Sequence, residues 1–136
     1  MKTKKPRVSS NPIEYRLLVT PQLDEQLQEV KLVITIRTIK EFTNFQYELV
    51  VTDTLAGDTL SFNIVGLRAP KTNVPRIGFA FYTKAFDNPV KIKKIVVKKM
   101  DKKENIFTLR ISNEKAVVKS SPEDAFIEII TEHSNW

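Results

Sequence analysis

One histidine, no cysteine and sixteen carboxylates make up the reactive inventory of a chain of 136 residues. Serine-type nucleophilic catalysis needs a base within hydrogen-bond reach and a third group to orient that base. His133 is the sole imidazole and lies in Thr131-Glu132-His133-Ser134-Asn135-Trp136, where fraying is the default, so it is expected to be an exposed histidine rather than a catalytic base. The missing cysteines remove thiolate nucleophiles, disulfide frameworks and thiolate zinc sites, and three glycines are too few for a Gly-rich phosphate cradle. Asp53 and Asp58 could bring two carboxylates to a calcium ion in Thr52-Asp53-Thr54-Leu55-Ala56-Gly57-Asp58-Thr59. That segment lacks the dense Asp/Asn alternation of a dedicated calcium loop and reads as a turn. The expectation is a protein without catalytic residues, cofactor or metal.

Charge is the more informative feature. Lys and Arg number 22 against 16 acids, for a formal net charge of +6, and the excess is clustered. Residues 1–11 carry Lys2, Lys4, Lys5 and Arg7 with no acid, and residues 90–103 carry seven lysines against Asp101 alone. The remainder is net acidic, so the molecule is expected to be electrically polar. Lys91, Lys93, Lys94, Lys98, Lys99, Lys102 and Lys103, with Lys4, Lys5 and Arg7 of the arm, are the candidate partner-binding residues. The competing reading is solvation, because lysines on an exposed β edge discourage aggregation.

The elements that must position these groups announce themselves by period-two alternation. Ile13, Tyr15, Leu17 and Val19 form one apolar row; Val30, Leu32, Ile34 and Ile36 the next; then Phe45, Tyr47, Leu49 and Val51; then Leu60, Phe62 and Ile64. Ile77, Phe79 and Phe81 follow, then Val90 and Ile92 shifting phase to Ile95 and Val97, then Phe107, Leu109 and Ile111, and finally residues 126–130. The phase shift across Lys93 and Lys94 predicts a β-bulge. Gly57 suits a positive φ in a hairpin, and Asp87-Asn88-Pro89 and Ser112-Asn113-Glu114 read as turns. Thr20-Pro21, with Asp24, Glu25, Leu23 and Leu27 behind it, has the cap, proline and spacing of a short helix. Residues 127–131 are dominated by β-branched side chains and read as a strand.

About eight short strands in one core point to an all-β domain. The favoured architecture is a two-layer antiparallel sandwich of immunoglobulin-like type, with a closed barrel as the alternative. Residues 1–11 are assigned to a basic flexible arm, 12–132 to the domain and 133–136 to a tail. No apolar run approaches the ~20 residues that span a bilayer, and no secretory leader is visible, so a cytoplasmic protein is expected.

Gly78-Phe79-Ala80-Phe81-Tyr82 resembles the core of the RNP1 signature of RNA-recognition motifs, whose strand aromatics stack on unpaired bases. The resemblance covers one strand. Ile77 stands where that family has Lys or Arg, Lys84 replaces its final aromatic, and the strands from Thr52 to Arg76 do not follow its βαββαβ order. Aromatics spaced by two are also core-forming, which would place Phe79 and Phe81 inside and Tyr82 outside. The functional expectation is a non-catalytic module docking an acidic partner through the lysine-rich strand. The alternative is a nucleic-acid-binding barrel that uses the same lysines with Phe79 to Tyr82. A carbohydrate-binding sandwich would need exposed aromatics in a row, with Tyr82, Phe86 and Trp136 as candidates. An open edge at Val30 to Ile39 would also permit a homodimer by strand pairing.

Overall fold

A computed structural model describes residues 13–43, 47–69, 77–100 and 102–136. The arm positions Lys4, Lys5 and Arg7 lie outside these residues, as do Phe45 and Asp101. Among the described residues nine strands form: β1 (Tyr15–Asp24), β2 (Glu29–Phe42), β3 (Glu48–Ala56), β4 (Thr59–Arg68), β5 (Gly78–Phe86), β6 (Lys94–Lys99), β7 (Lys103–Ile111), β8 (Ala116–Ser120) and β9 (Ile127–Ile130). All join one sheet in the order β8-β7-β6-β4-β3-β5-β2-β1-β9. The all-β expectation holds. In place of a two-layer antiparallel arrangement of about eight strands, the chain builds one mixed sheet of nine, with parallel pairings at β1/β9, β3/β5 and β4/β6.

The sheet curls until its concave face becomes the core. Leu17, Val19, Leu32, Ile34, Ile36, Leu60, Phe62, Ile64, Ile95, Val97, Phe107 and Leu109 all point there and are essentially inaccessible to water. β6 and β1 are five positions apart in the sheet order. A flat sheet at about 4.8 Å per strand would hold them roughly 24 Å apart. Lys99 of β6 nevertheless forms an ion pair with Glu14, immediately before β1. The closure runs through fully buried Phe126. Its N–H donates to Asn105 Oδ1 of β7 at 2.9 Å, and its carbonyl accepts from the N–H of Glu14 at 2.7 Å and of Tyr15 at 3.3 Å. Asn105 Nδ2 donates to the carbonyls of Glu104 and Asp124, at 3.2 and 3.3 Å. A buried amide that bonds through both its ends is a strong specifier, because an unmet partner would be costly.

Four local expectations are corrected. Thr20 to Val30 is the end of β1, a turn and the start of β2, with Pro21 paired to Leu32. Asp24 does accept from two following N–H groups, Gln26 at 3.1 Å and Leu27 at 3.2 Å, but these bonds shape a hairpin turn that Gln28 completes at φ 55°. Pro21 is tolerated because β9 reaches only Tyr15 to Leu18 of β1, leaving an open edge beyond. Next, Ile92 and Ile95 are both buried because a single 3₁₀ turn, Pro89–Lys91, precedes β6, rather than through a bulge within one strand. That turn leaves Val90 on the surface. Third, β5 has the opposite phase: Ala80, Tyr82 and Phe86 face inward, while Phe81 is half exposed and Ile77 is mostly exposed. Tyr82 and Phe86 pack edge-on against Phe62, with centroids 6.1 and 5.9 Å away. Finally, β2 pairs with β1 on one side and, from Leu32 to Arg37, with β5 on the other, so the middle of Val30 to Ile39 offers no open edge.

Replacing Asn105 with alanine leaves the Phe126 N–H buried without its acceptor. Chemical denaturation should show a loss of about 1–3 kcal/mol. A change within about 0.5 kcal/mol, the range of an ordinary surface substitution, would contradict the clasp.

Candidate functional site

The curl divides the lysine stretch into two groups with different surroundings. At the C-terminal end of β6 and in β7, the lysines find acids. Lys99 pairs with Glu14, Lys103 with Asp124 at 3.6 Å, and Lys98 with Glu104 at 3.9 Å across the strand pair. Lys99 also lies 5.3 Å from the Phe126 ring centroid. Lys102 sits in the turn between β6 and β7, exposed.

At the other end, Lys91, Lys93 and Lys94 are exposed, and no acid pairs with them among the described residues. Their backbone is firmly held. The N–H groups of Lys93 and Lys94 donate to the Asp58 carbonyl at 2.9 and 3.2 Å, and the Lys93 carbonyl accepts from Leu109 N–H at 2.9 Å. These bonds seat the segment between the β3–β4 turn and β7. Beside it opens a groove of about 380 Å³, lined by Val90, Ile92, Lys93, Arg110, Ile111 and Lys119 among others. Its floor is buried Ile92, Leu109 and Ile111, and its walls carry three cations and no carboxylate. Arg110 and Lys119 come from β7 and β8, whose register shifts between Thr108 and Leu109 and brings Lys119 to the groove.

Arg110 and Lys119 were not among the sequence candidates. Arg110 occupies an outward position in the Phe107–Ile111 alternation, a readable signal, but its proximity to Lys93 depends on strand order. The aromatic candidates are redistributed by the reversed phase of β5. Tyr82 and Phe86 face the core and cannot join an exposed row for a sugar. Phe79 and Phe81 emerge on the outer face of the sheet, on the side that carries Arg37 and Trp136. His133 lies in a one-turn 3₁₀ segment, His133–Asn135.

Asp53 and Asp58 part ways as well. Asp58 stands in the two-residue turn with Gly57, whose φ of 64° suits glycine. Asp53 points toward β5, where its carboxylate accepts from the Tyr82 hydroxyl at 2.7 Å and from Lys84 Nζ at 2.9 Å. Burial works against the charged carboxylate, but the Tyr82 and Lys84 hydrogen bonds outweigh it and hold the Asp53 pKa below its ordinary value. Burial, and then the Asp53 hydrogen bond, push the Tyr82 phenol far above its usual range. This trio bridges β3 and β5, whose backbones pair, among the described residues, only at Glu48↔Phe81. Among the described residues no group of three or more His, Cys, Asp or Glu converges to hold a metal ion, and no helix is long and apolar enough to cross a membrane.

Set against protein-family models, curated proteins and solved structures, the chain shows no match.

A carboxylate with a depressed pKa stabilises the fold above its unfolded pKa, and that contribution fades as pH falls through the folded value. Asp53→Asn should therefore lower the melting temperature at neutral pH, and the gap to the parent should close as the pH drops below 3.8, the ordinary value for this carboxyl. A gap that is the same at acid and neutral pH would show that the charge is not what matters.

Proposed function

We propose that the chain is a non-catalytic docking module that receives an acidic segment of a partner protein along the groove between Lys93, Arg110 and Lys119, with Lys91 and Lys94 widening the basic field. The observation that carries this reading is the absence of compensation. These three cations line one groove, none has an acidic partner among the described residues, and the lysines at the far end of β6 are paired within the chain. Uncompensated like charges on one concave surface raise the local concentration of an oppositely charged partner and speed encounter. The apolar floor and exposed Val90 add a place for an apolar side chain next to the acids. A cytoplasmic setting suits a cysteine-free chain.

The nucleic-acid alternative has one supporting observation, the outward-facing Phe79 and Phe81. They stand on β5, whereas the free lysines stand at β6, and β4 and β3 separate these strands in the sheet order. A bound strand would have to leave the phosphate contacts to reach the rings, which favours the protein partner.

Polyglutamate peptide serves as the probe. The parent protein should capture it at low ionic strength and release it as salt rises. Reversing Lys93, Arg110 and Lys119 to glutamate together should weaken capture by about tenfold or more while thermal unfolding stays nearly unchanged. Undiminished capture by that triple variant, or tighter binding of single-stranded or duplex oligonucleotide than of polyglutamate, would overturn the proposal.

A further inference from the structure

The basic groove has a neighbour of different chemistry. A cavity of about 780 Å³ opens beside the Pro89–Lys91 turn, and exposed Val90 stands at the junction, lining both spaces. Three segments far apart in the chain wall this cavity: Gln28 and Glu29 from the β1–β2 hairpin, Asp87 and Asn88 after β5, and Asn113 from the turn between β7 and β8. Each is anchored. Asp87 is ion-paired to Lys31 of β2, and the Asn88 carbonyl accepts from Lys91 N–H at 3.1 Å. Ser112 closes the β7–β8 turn: its N–H donates to the Lys115 carbonyl at 2.9 Å and its hydroxyl accepts from Lys115 N–H at 3.1 Å. The strand pair that sends Arg110 and Lys119 to the groove therefore also carries Asn113 to the cavity.

The charge changes across Val90. On the groove side stand Lys93, Arg110 and Lys119 without a carboxylate. On the cavity side Glu29 and Asp87 both engage Lys31, Glu29 at 3.7 Å, and Lys91 adds one cation to the wall. Acids and cations there balance. An acidic side chain entering the cavity would face two carboxylates whose counterion is already shared, and like charges brought together select against a ligand. An uncharged polar group meets no such opposition.

Two side-chain amides in the cavity are unused. Asn88 makes no side-chain bond to the turn that follows it, and neither Asn88 nor Asn113 has a hydrogen-bond partner among the described residues. A primary amide carries one carbonyl acceptor and two N–H donors, the complement of the N–H and C=O of a peptide unit. Amides contributed by two separate loops to one cavity can therefore bond an extended backbone at more than one point. Half-buried Val30 and buried Pro89 give the same cavity an apolar part, against which short side chains of such a segment can rest.

Resting on the docking reading of the groove, we propose that the partner segment is bipartite: an acidic stretch among Lys93, Arg110 and Lys119, an apolar residue against Val90, and then an uncharged polar stretch whose backbone bonds the amides of Asn88 and Asn113. Titration calorimetry with capped peptides tests it. The probes are oligoglutamate ending in leucine, at either the amino or the carboxyl end, and the same two peptides extended beyond the leucine by oligoglutamine. One of the extended peptides is expected to bind about fivefold or more tightly than its unextended parent, the gain of one or two hydrogen bonds. Asn88→Gly suits the left-handed backbone there, φ 53°, and combined with Asn113→Ala should abolish that gain while the unextended peptides bind as before. Unextended peptides that bind with no gain from either extension, or a gain that survives the double variant, would overturn the bipartite partner and leave the docking reading in place. Failure of the chain to bind any of the four peptides would overturn both.

Discussion

The structure depends on closing a nine-stranded sheet around its own inner face, although β3 and β5, at its middle, are joined among the described residues by one backbone pair. A sheet so weakly joined at one seam needs bonds elsewhere to keep its curvature. Phe126 supplies the main closure, with its N–H on Asn105 of β7 and its carbonyl shared by Glu14 and Tyr15 at the head of β1. Asp53, Tyr82 and Lys84 brace the seam itself, and the Phe62, Tyr82 and Phe86 rings fill the space beneath it. Buried apolar side chains supply the driving force, while these few directional bonds choose the curvature.

That closure decides what the charges do. Residues 91–103 look like one basic strand when written out, but the curl brings Glu14 and Asp124 to the far end of β6 and β7 and leaves the near end bare. Exposed ion pairs of this kind contribute little to stability. Their importance is that they remove Lys99 and Lys103, and Lys98 through Glu104, from any outward field. The field that is left centres on Lys93, joined by Arg110 and Lys119 from two neighbouring strands. The proposed docking function rests on the cations left over once the fold has used its own.

Much of the fold was legible in the alternation. β1, β2, β4 and β7 carry their buried rows where period two places them, since each alternates one apolar face with one polar face. β5 was misread because Phe79-Ala80-Phe81-Tyr82 is apolar in both phases; its orientation is settled by Tyr82 reaching Asp53 and by Ala80 fitting against Thr38. The β1–β2 hairpin was misread because an aspartate that caps a helix and one that shapes a turn make the same local bonds. Lys91, Lys93 and Lys94 stand among the sequence candidates and Arg110 and Lys119 do not, while the pairing of Lys98, Lys99 and Lys103 was invisible. All of these depend on long-range register, which the sequence pattern does not carry. Arg37 stands in the outward row of β2 with Lys31 and Thr35, and only the fold lays Phe79 and Trp136 across it.

The central claim is that the fold sorts one lysine stretch into paired and free cations, and that only the free ones meet a partner. Amide chemical shifts recorded as polyglutamate is added to the isotopically labelled protein test it most directly. The account predicts shifts gathered around Val90 to Lys94, Arg110 and Lys119, with the paired Lys98, Lys99 and Lys103 unmoved. Shifts centred on Lys98, Lys99 and Lys103, or spread evenly over every lysine, would contradict it.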